Sequence, residues 1–122
     1  MTFLQRRSDL KKWELDSEPV LSFPGLKINL DRRKVISNGK GVALTAKEYD
    51  ILCLLAVNEG RVLTYSQIYE TVWDGLSSGN ERGTVGYHIR NLRKKLYDGI
   101  PPHLFIIESV REIGYRFESI SQ

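Results

Sequence analysis

The residues with the clearest chemical potential lie in one run near the C-terminal end of the chain. Between Arg82 and Tyr97 the sequence has five basic side chains and no acidic one. Such side chains can bind phosphate groups or the acceptor-rich edges of guanine bases. The whole chain carries a net charge of only +3, so the signal for an anionic partner lies in where the charges sit rather than in their total. This run is the first candidate for a nucleic-acid interface.

Other kinds of chemistry find little support in the sequence. The two histidines, His88 and His103, are far apart, and the single cysteine, Cys53, lies inside an apolar run where a small buried hydrophobe is expected. The sequence has no glycine-rich phosphate loop and no Gly-x-Ser-x-Gly motif. We therefore predict no catalytic residue, no metal site and no cofactor. An enzyme, our third hypothesis, would need convergent titratable groups.

Length and composition fit one small globular domain. The chain has 122 residues, of which 41% are hydrophobic and 27% charged, and a chain of this size has room for a single core. Residues 1–19 mix charges of both signs and end at a Ser-Glu-Pro break, which predicts a linker followed by a domain over residues 20–122. No apolar stretch has the length of a membrane span or a signal peptide, which favours the cytoplasm.

The first patterned segment predicts a small antiparallel sheet. Leu26, Ile28 and Leu30 alternate with polar residues, and the run from Lys34 leads into Asn38-Gly39. An Asn-Gly pair supplies the positive φ angles of a tight hairpin turn. The run from Val42 to Leu44 is expected to complete the sheet.

Two helices are predicted after the sheet. Thr45 with Glu48 three positions later is a capping box, and helical spacing of apolar residues continues to about Asn58. Either Thr64 or Ser66 can cap the second helix. Ile68, Tyr69, Val72 and Trp73 are spaced to form its apolar face. The Gly- and Ser-rich composition of residues 75–79 predicts a surface loop after this helix.

The third predicted helix, from about Thr84 to Tyr97, contains the basic run. Its apolar stripe consists of Val85, Ile89, Leu92 and Leu96, at steps of four, three and four. The opposite arc presents Thr84, Tyr87, Arg90, Asn91, Lys94 and Lys95, with Arg93 on the flank. Asparagine can pair bidentately with adenine, while arginine and lysine can bind guanine or phosphate. The alternative is a basic face that only keeps the helix soluble; the absence of acidic residues opposes it, because solvated helices usually mix charge signs.

Gly83 and Gly86 stand near the start of this helix. Each costs about 1 kcal/mol against alanine if it is helical, which suggests a benefit such as close approach of the backbone to a phosphate. For Gly83 the sequence leaves a second interpretation open, in which the helix begins at Thr84 and Gly83 precedes its cap. His88 is expected to pack or to touch phosphate.

A hairpin is predicted to close the chain. Residues 98–102 contain Gly99 and two prolines and cannot continue a helix. The runs Leu104 to Glu108 and Gly114 to Glu118 are predicted to be strands, joined by a tip at 109–113 that carries Arg111. The order sheet, helix, helix, loop, helix, hairpin is that of the winged helix-turn-helix, in which the third helix enters the major groove.

Five segments carry a family resemblance that covers roughly Leu21 to Glu118. They are Leu44–Tyr49, Arg61–Leu63, Val72-Trp73, Thr84–Leu96 and Gly114–Phe117. Together they resemble the winged-helix effector domain of OmpR/PhoB-type response regulators. The resemblance implies an α+β fold with an N-terminal four-stranded antiparallel sheet, a three-helix core and a C-terminal β-hairpin wing. It also implies sequence-specific binding of double-stranded DNA, with paired domains on direct-repeat promoter sites, under phosphorylation control by a receiver domain in a two-component system.

The resemblance also implies roles for individual residues. The residues expected to contact bases are Thr84, Tyr87 and Asn91. Those expected to contact phosphates or to act from the wing are Arg82, His88, Arg90, Arg93, Lys94, Arg111 and Tyr115, with Arg111 in the minor groove. The loop expected to touch RNA polymerase consists of Asp74, Gly75, Leu76, Ser77, Ser78, Gly79, Asn80 and Glu81. Residues 3–7 are similar to the end of the last receiver-domain helix, which implies a fragment that begins just after that domain.

Three positions depart from the family pattern. Glu112 stands where the wing usually carries glycine, Gly86 replaces a residue that is commonly acidic, and Gly83 replaces one that is often arginine. Gly86 and Glu112 support the second hypothesis, a winged-helix module that binds a protein partner and not DNA. The acid-free run from Arg82 to Tyr97 opposes that hypothesis.

Overall fold

The N-terminal part of the domain is a four-stranded antiparallel meander. The computed structural model describes residues 19–75, 79–98 and 104–120, and its first strands are β1 (Val20–Phe23), β2 (Leu26–Asn29), β3 (Lys34–Ser37) and β4 (Lys40–Val42), paired in that order. Asn38 and Gly39 join β3 to β4 with φ angles of +52° and +83°, which confirms the predicted hairpin turn. Leu30 lies in a turn, and β4 ends at Val42, two residues before the predicted end.

The first two helices begin at the predicted kind of cap. Helix α1 (Ala46–Val57) has the Thr45–Glu48 capping box, and helix α2 (Tyr65–Val72) has one formed by Thr64 and Gln67. Thr64 is therefore the cap, and Ser66 is not. Each box satisfies main-chain N–H groups that the first helical turn leaves without partners. Strand β5 (Val62–Thr64) leads directly into α2.

Helix α3 (Glu81–Tyr97) begins three residues before the predicted start. Gly83 is thus helical, and the interpretation that placed it before the cap is wrong. The Thr84 N–H donates to the Asn80 carbonyl at 3.0 Å, and Glu81 in the first turn faces the positive end of the helix dipole. The helix ends at Tyr97, and its C-cap, Asp98, has a φ of +48°.

The wing is the hairpin of β6 (Phe105–Val110) and β7 (Gly114–Ser119), with a tip of three residues, 111–113, shorter than predicted. Strand β7 lies between β5 and β6 in the second sheet. At Gly114 a Cβ atom would stand 1.8 Å from the Leu63 carbonyl oxygen, so only glycine allows β7 to pair with β5 at this point.

One core joins the two sheets and the three helices. The predicted stripe Val85, Ile89, Leu92 and Leu96 is entirely buried, together with residues of the first sheet such as Ile28 and of the wing such as Phe117. Tyr49 is buried, and Tyr69, Trp73 and Tyr115 pack against the core, as expected; Cys53 is half-buried there. The α+β winged helix-turn-helix architecture is confirmed.

Some predictions fall outside the described residues. They are residues 1–18 of the linker predicted at 1–19, with its receiver-like segment, the loop residues Leu76, Ser77 and Ser78, and His103. Over the described ranges no helix is long and apolar enough to cross a membrane, and no cluster of His, Cys, Asp and Glu in those ranges could hold a metal ion.

Candidate nucleic-acid interface

The outward face of α3 carries most of the polar arc predicted from the sequence. Tyr87 is 57% exposed, Arg90 and Lys94 are exposed, and Thr84 and Asn91 are half-buried. These side chains lie opposite the buried stripe because the helix places residues three and four apart on one face. The arc therefore presents hydroxyl, amide and cationic groups to solvent along about three turns.

Lys95 belongs to this arc by its angle but is bound to another helix. Its Nζ donates to Glu48 Oε1 at 2.7 Å, and the Glu48 side chain is almost completely buried. Burial raises the pKa of Glu48, but the hydrogen bonds from Lys95 and from the Thr45 N–H outweigh it and hold that pKa below its ordinary value. Lys95 thus fixes α3 against the start of α1, a role that the sequence did not indicate.

His88 packs in a row of aromatic rings between α2 and α3. Its ring centroid lies 5.3 Å from that of Trp73 and 5.2 Å from that of Tyr87. Trp73 in turn stacks on Tyr69, with the ring planes 7° apart. Of the two roles expected for His88, the packed one is present, and it supports Tyr87 from the core side. Lys47 also contacts this row, with its Nζ 5.1 Å from the Trp73 ring centroid.

A cleft separates the N-terminal half of α3 from the wing. Its walls carry three arginines, Arg82, Arg90 and Arg111; the remaining lining residues are Tyr65, Gly83, Gly86, Ser109, Glu112 and Tyr115. Gly86 adds no side chain to this wall, and a Cβ atom there would lie 3.5 Å from the Tyr115 hydroxyl, an ordinary contact distance. Three guanidinium groups around an open cleft are suited to bind a phosphodiester backbone.

Two tyrosines line this cleft in contact with each other. Tyr65, at the start of α2, meets Tyr115 of β7 edge to face at 5.8 Å, and the Arg82 guanidinium lies 5.4 Å from the Tyr65 ring centroid. Burial raises the pKa of the Tyr115 hydroxyl, although Arg93 opposes that shift. The hydroxyl therefore stays protonated at neutral pH and can donate a hydrogen bond.

Arg93 binds the wing. Its Nε and Nη2 donate to the Ile107 carbonyl at 3.1 and 2.8 Å, and Nη2 also donates to Ser109 Oγ at 2.8 Å. The guanidinium lies 5.5 Å from the Tyr115 ring centroid. The flank position on α3 was predicted correctly, but the sequence contained no signal for these wing acceptors, because they come from a strand fourteen residues away.

The wing tip exposes Arg111 and Glu112 side by side. Glu112 has φ of +64°, the left-handed region in which glycine is favoured and other residues are strained. Arg116, farther along β7, is held by Glu108 at 2.7 Å and Glu118 at 3.3 Å. Within the wing, the tip residue Arg111 is therefore the arginine that faces the cleft.

The loop predicted to touch RNA polymerase is described only at its ends. Asp74 and Gly79 have positive φ angles, Gly75 and Asn80 are exposed, and Glu81 belongs to the first turn of α3. The Glu81 carboxylate accepts from Ser66 Oγ at 3.5 Å, a contact that ties the end of the loop to α2.

Known proteins share both the sequence pattern and the fold. Residues 39–117 match the family described as "Transcriptional regulatory protein, C terminal". The transcriptional activator protein IrlR of Burkholderia pseudomallei is 38% identical over 112 residues, which cover 92% of this chain and 48% of IrlR. The response regulator ArlR of Staphylococcus haemolyticus is 41% identical over 96 residues, which cover 79% of this chain and 42% of ArlR. The chain thus spans about half the length of the relatives it matches.

Solved structures of related DNA-binding domains and regulators share the fold of this chain. The DNA-binding domain of RstA from Klebsiella pneumoniae, solved in complex with the RstA box, has a TM-score of 0.70 and 31% identity, with 81% of this chain and 96% of that one covered. DrrB, an OmpR/PhoB homologue from Thermotoga maritima, has a TM-score of 0.70 and 30% identity over 96% of this chain and 51% of its own. The chain belongs to the family of C-terminal domains of OmpR/PhoB-type transcriptional response regulators.

Proposed function

We propose that this domain binds double-stranded DNA with sequence specificity and thereby controls transcription. The observation that carries the proposal is the exposed face of α3, which bears basic, amide and hydroxyl groups, next to a cleft with three arginines. An α-helix fits the major groove, which is about 12 Å wide. The RstA and AdeR domains, both similar to this chain, were solved in complexes with the RstA box and an intercistronic region, and this supports the assignment.

Base recognition is assigned to the middle of the α3 face. Tyr87 is the most exposed of the three predicted base contacts, and Asn91 stands one turn later on the same face. The side-chain amide of Asn91 can donate to N7 of an adenine and accept from the N6 amino group of the same base. Thr84 and Tyr87 can contact thymine methyl groups. The packing of His88 against Tyr87 at 5.2 Å restricts the ring that would enter the groove.

Phosphate binding is assigned to the residues around that face. Arg82, Arg90 and Tyr115 line the cleft beside the wing, and Lys94 is exposed one turn after Arg90. Arg111, at the wing tip, is assigned to the adjacent minor groove. His88 is assigned a packing role, and a phosphate contact from it would use the edge of its ring. These side chains would bind the DNA backbone on both sides of α3. Such contacts fix the position of the helix along the duplex but do not distinguish between base sequences.

Finer parts of the function are proposed from family membership. We infer control by phosphorylation of a receiver domain in the full-length protein, pairing of two domains on direct-repeat promoter sites, and a cytoplasmic location. Contact with RNA polymerase is assigned to the segment from Asp74 to Glu81, whose described ends lie beside the start of α3.

The experiment compares two neighbouring substitutions, Asn91→Ala and Arg90→Ala. DNA sites are first selected from a random pool with the wild-type chain, and affinity is then measured on selected and singly mismatched duplexes at several salt concentrations. Asn91→Ala is expected to abolish discrimination of about 1 to 3 kcal/mol at one base pair and to leave the salt dependence unchanged. Arg90→Ala is expected to weaken all sequences alike and to reduce the slope of log K against log salt by about 1.

Two results would count against the proposal. A uniform loss of affinity in Asn91→Ala would remove the base-contact assignment. Wild-type binding that is absent, or insensitive to both salt and sequence, would remove DNA binding itself and favour a winged-helix module for a protein partner.

A further inference from the structure

The outer edge of the wing is covered by α3 at one residue, Ile107. Strand β6 is an edge strand, because the second sheet has the order β5-β7-β6. Ile107 donates its N–H to the Tyr97 hydroxyl at 3.1 Å and accepts at its carbonyl from Arg93. The free edge of a strand exposes unpaired main-chain N–H and carbonyl groups. At Ile107 the side chains of Tyr97 and Arg93, one turn apart on α3, satisfy both of these groups.

The contact is specific to the shape of arginine. Two nitrogens of one guanidinium reach the Ile107 carbonyl, and one of them also reaches Ser109 Oγ. The same group covers the Tyr115 ring. A lysine ammonium is a single point charge and cannot reproduce this forked geometry. These bonds use Nε and Nη2, so a phosphate contact from Arg93 would be left with the N–H groups of Nη1.

From this geometry we propose that Arg93 is a positioning residue, which acts on DNA binding through the wing rather than through a phosphate. The proposal rests on the proposed function, since it concerns how the domain meets DNA. Arg93 and Tyr97 fix the strand that leads to the tip, and so they set where Arg111 stands relative to the face of α3. The other described main-chain tie of the tip to the helices is the bond from Tyr65 N–H to the Ile113 carbonyl, at 3.2 Å.

Arg93→Lys tests this role, with Arg61→Lys, at an exposed arginine outside the cleft and outside α3, as the control. Both variants keep the net charge of the chain, so a phosphate contact by the side chain at position 93 would survive as a point-charge contact. Arg93→Lys is expected to weaken binding to the selected duplex by about tenfold with an unchanged salt slope, whereas Arg61→Lys stays within about threefold of the wild type. Tyr97→Phe, which removes only the hydroxyl at the other end of the clamp, is expected to weaken binding in the same direction.

A double-mutant cycle with Arg111→Ala separates a role through the wing from a loss of folding. In the Arg111→Ala background, Arg93→Lys is expected to weaken DNA binding by less than about twofold further. The effects of Arg90→Ala and Arg111→Ala on affinity, in contrast, are expected to multiply. Wild-type affinity in Arg93→Lys, or effects that simply multiply with Arg111→Ala, would overturn the proposal. Failure of the wild-type chain to bind DNA would instead overturn the proposed function, so the two failures are distinguishable.

Discussion

At the scale of single residues, Glu112 is expected to affect DNA binding in two separable ways. Its φ of +64° strains the wing tip, and its carboxylate stands next to Arg111, where the tip would approach the negative minor groove. A left-handed conformation costs a non-glycine residue about 1 kcal/mol. A carboxylate near phosphates also repels them, and salt weakens that repulsion.

Two substitutions at Glu112 separate these effects. Glu112→Gly is expected to raise the free energy of unfolding by about 1 kcal/mol and to tighten DNA binding, because it removes both the strain and the charge. Glu112→Gln keeps the strained backbone, so it is expected to tighten binding while the stability stays within about 0.5 kcal/mol of the wild type. Urea unfolding and DNA titration at low salt measure both quantities. Binding by Glu112→Gln no tighter than that of the wild type would show that the charge has no effect.

The residues of α3 also show what a sequence can and cannot predict about a site. Helical angles placed Tyr87, Arg90 and Asn91 on the outward face correctly, because that face is the complement of the buried stripe. The same angles placed Lys95 on the arc and Arg93 on the flank. Both side chains have partners from distant segments, Glu48 and Ile107, and helical periodicity contains no information about such partners.

At the scale of elements, the ion pair of Lys95 and Glu48 joins the interface helix to α1. Because the pKa of Glu48 is lowered in the folded chain, its contribution to stability is fully present above the pKa of an unfolded glutamate, about 4.3. It is lost as the pH falls through the lower folded pKa, where the carboxylate is protonated. The effect of the pair is therefore largest at neutral pH.

Lys95→Met tests that pH dependence. The substitution leaves a buried carboxylate with its Thr45 hydrogen bonds only, so the expected loss at pH 7 is about 1 to 2 kcal/mol, between the values for exposed and fully buried pairs. The difference from the wild type is expected to shrink as the pH falls to 3. Urea unfolding at both pH values measures it, with Lys94→Met, which changes an exposed neighbour, as the control. A loss of equal size at pH 3 would contradict the assignment to Glu48.

The elements themselves were predicted where local chemistry determines their ends. The Thr45 box, the Asn38-Gly39 turn and the stripe of α3 all depend on residues within a few positions. The start of α3 was wrong by three residues because glycine propensity disfavours a helix there, whereas the packing of Val85 and its neighbours into the core outweighs about 1 kcal/mol. Strand β1 was expected only from the family resemblance, since its burial alternates weakly.

At the scale of the whole molecule, the N-terminal sheet supports the far end of the interface helix. Buried Ser37, the last residue of β3, donates from Oγ to the Leu96 carbonyl at 2.8 Å. This carbonyl belongs to the last turn of α3, where no further helical N–H is available. With Leu26 and Val35 in the same core as Leu92 and Leu96, the sheet and the helix should unfold together.

Ser37→Ala tests that coupling. It leaves a buried carbonyl without its donor, so the free energy of unfolding is expected to fall by about 1 to 3 kcal/mol, while Ser22→Ala, at an exposed serine of β1, should change it by less than about 0.5 kcal/mol. Far-UV circular dichroism and the fluorescence of Trp73, in a Trp13→Phe background, should give one coincident transition for both variants. DNA affinity measured well below the transition should be unchanged, because Ser37 lies beneath α3 and not on its outward face. Two separate transitions in Ser37→Ala would show instead that the sheet unfolds without the helix, and that the N-terminal meander is a separate cooperative unit.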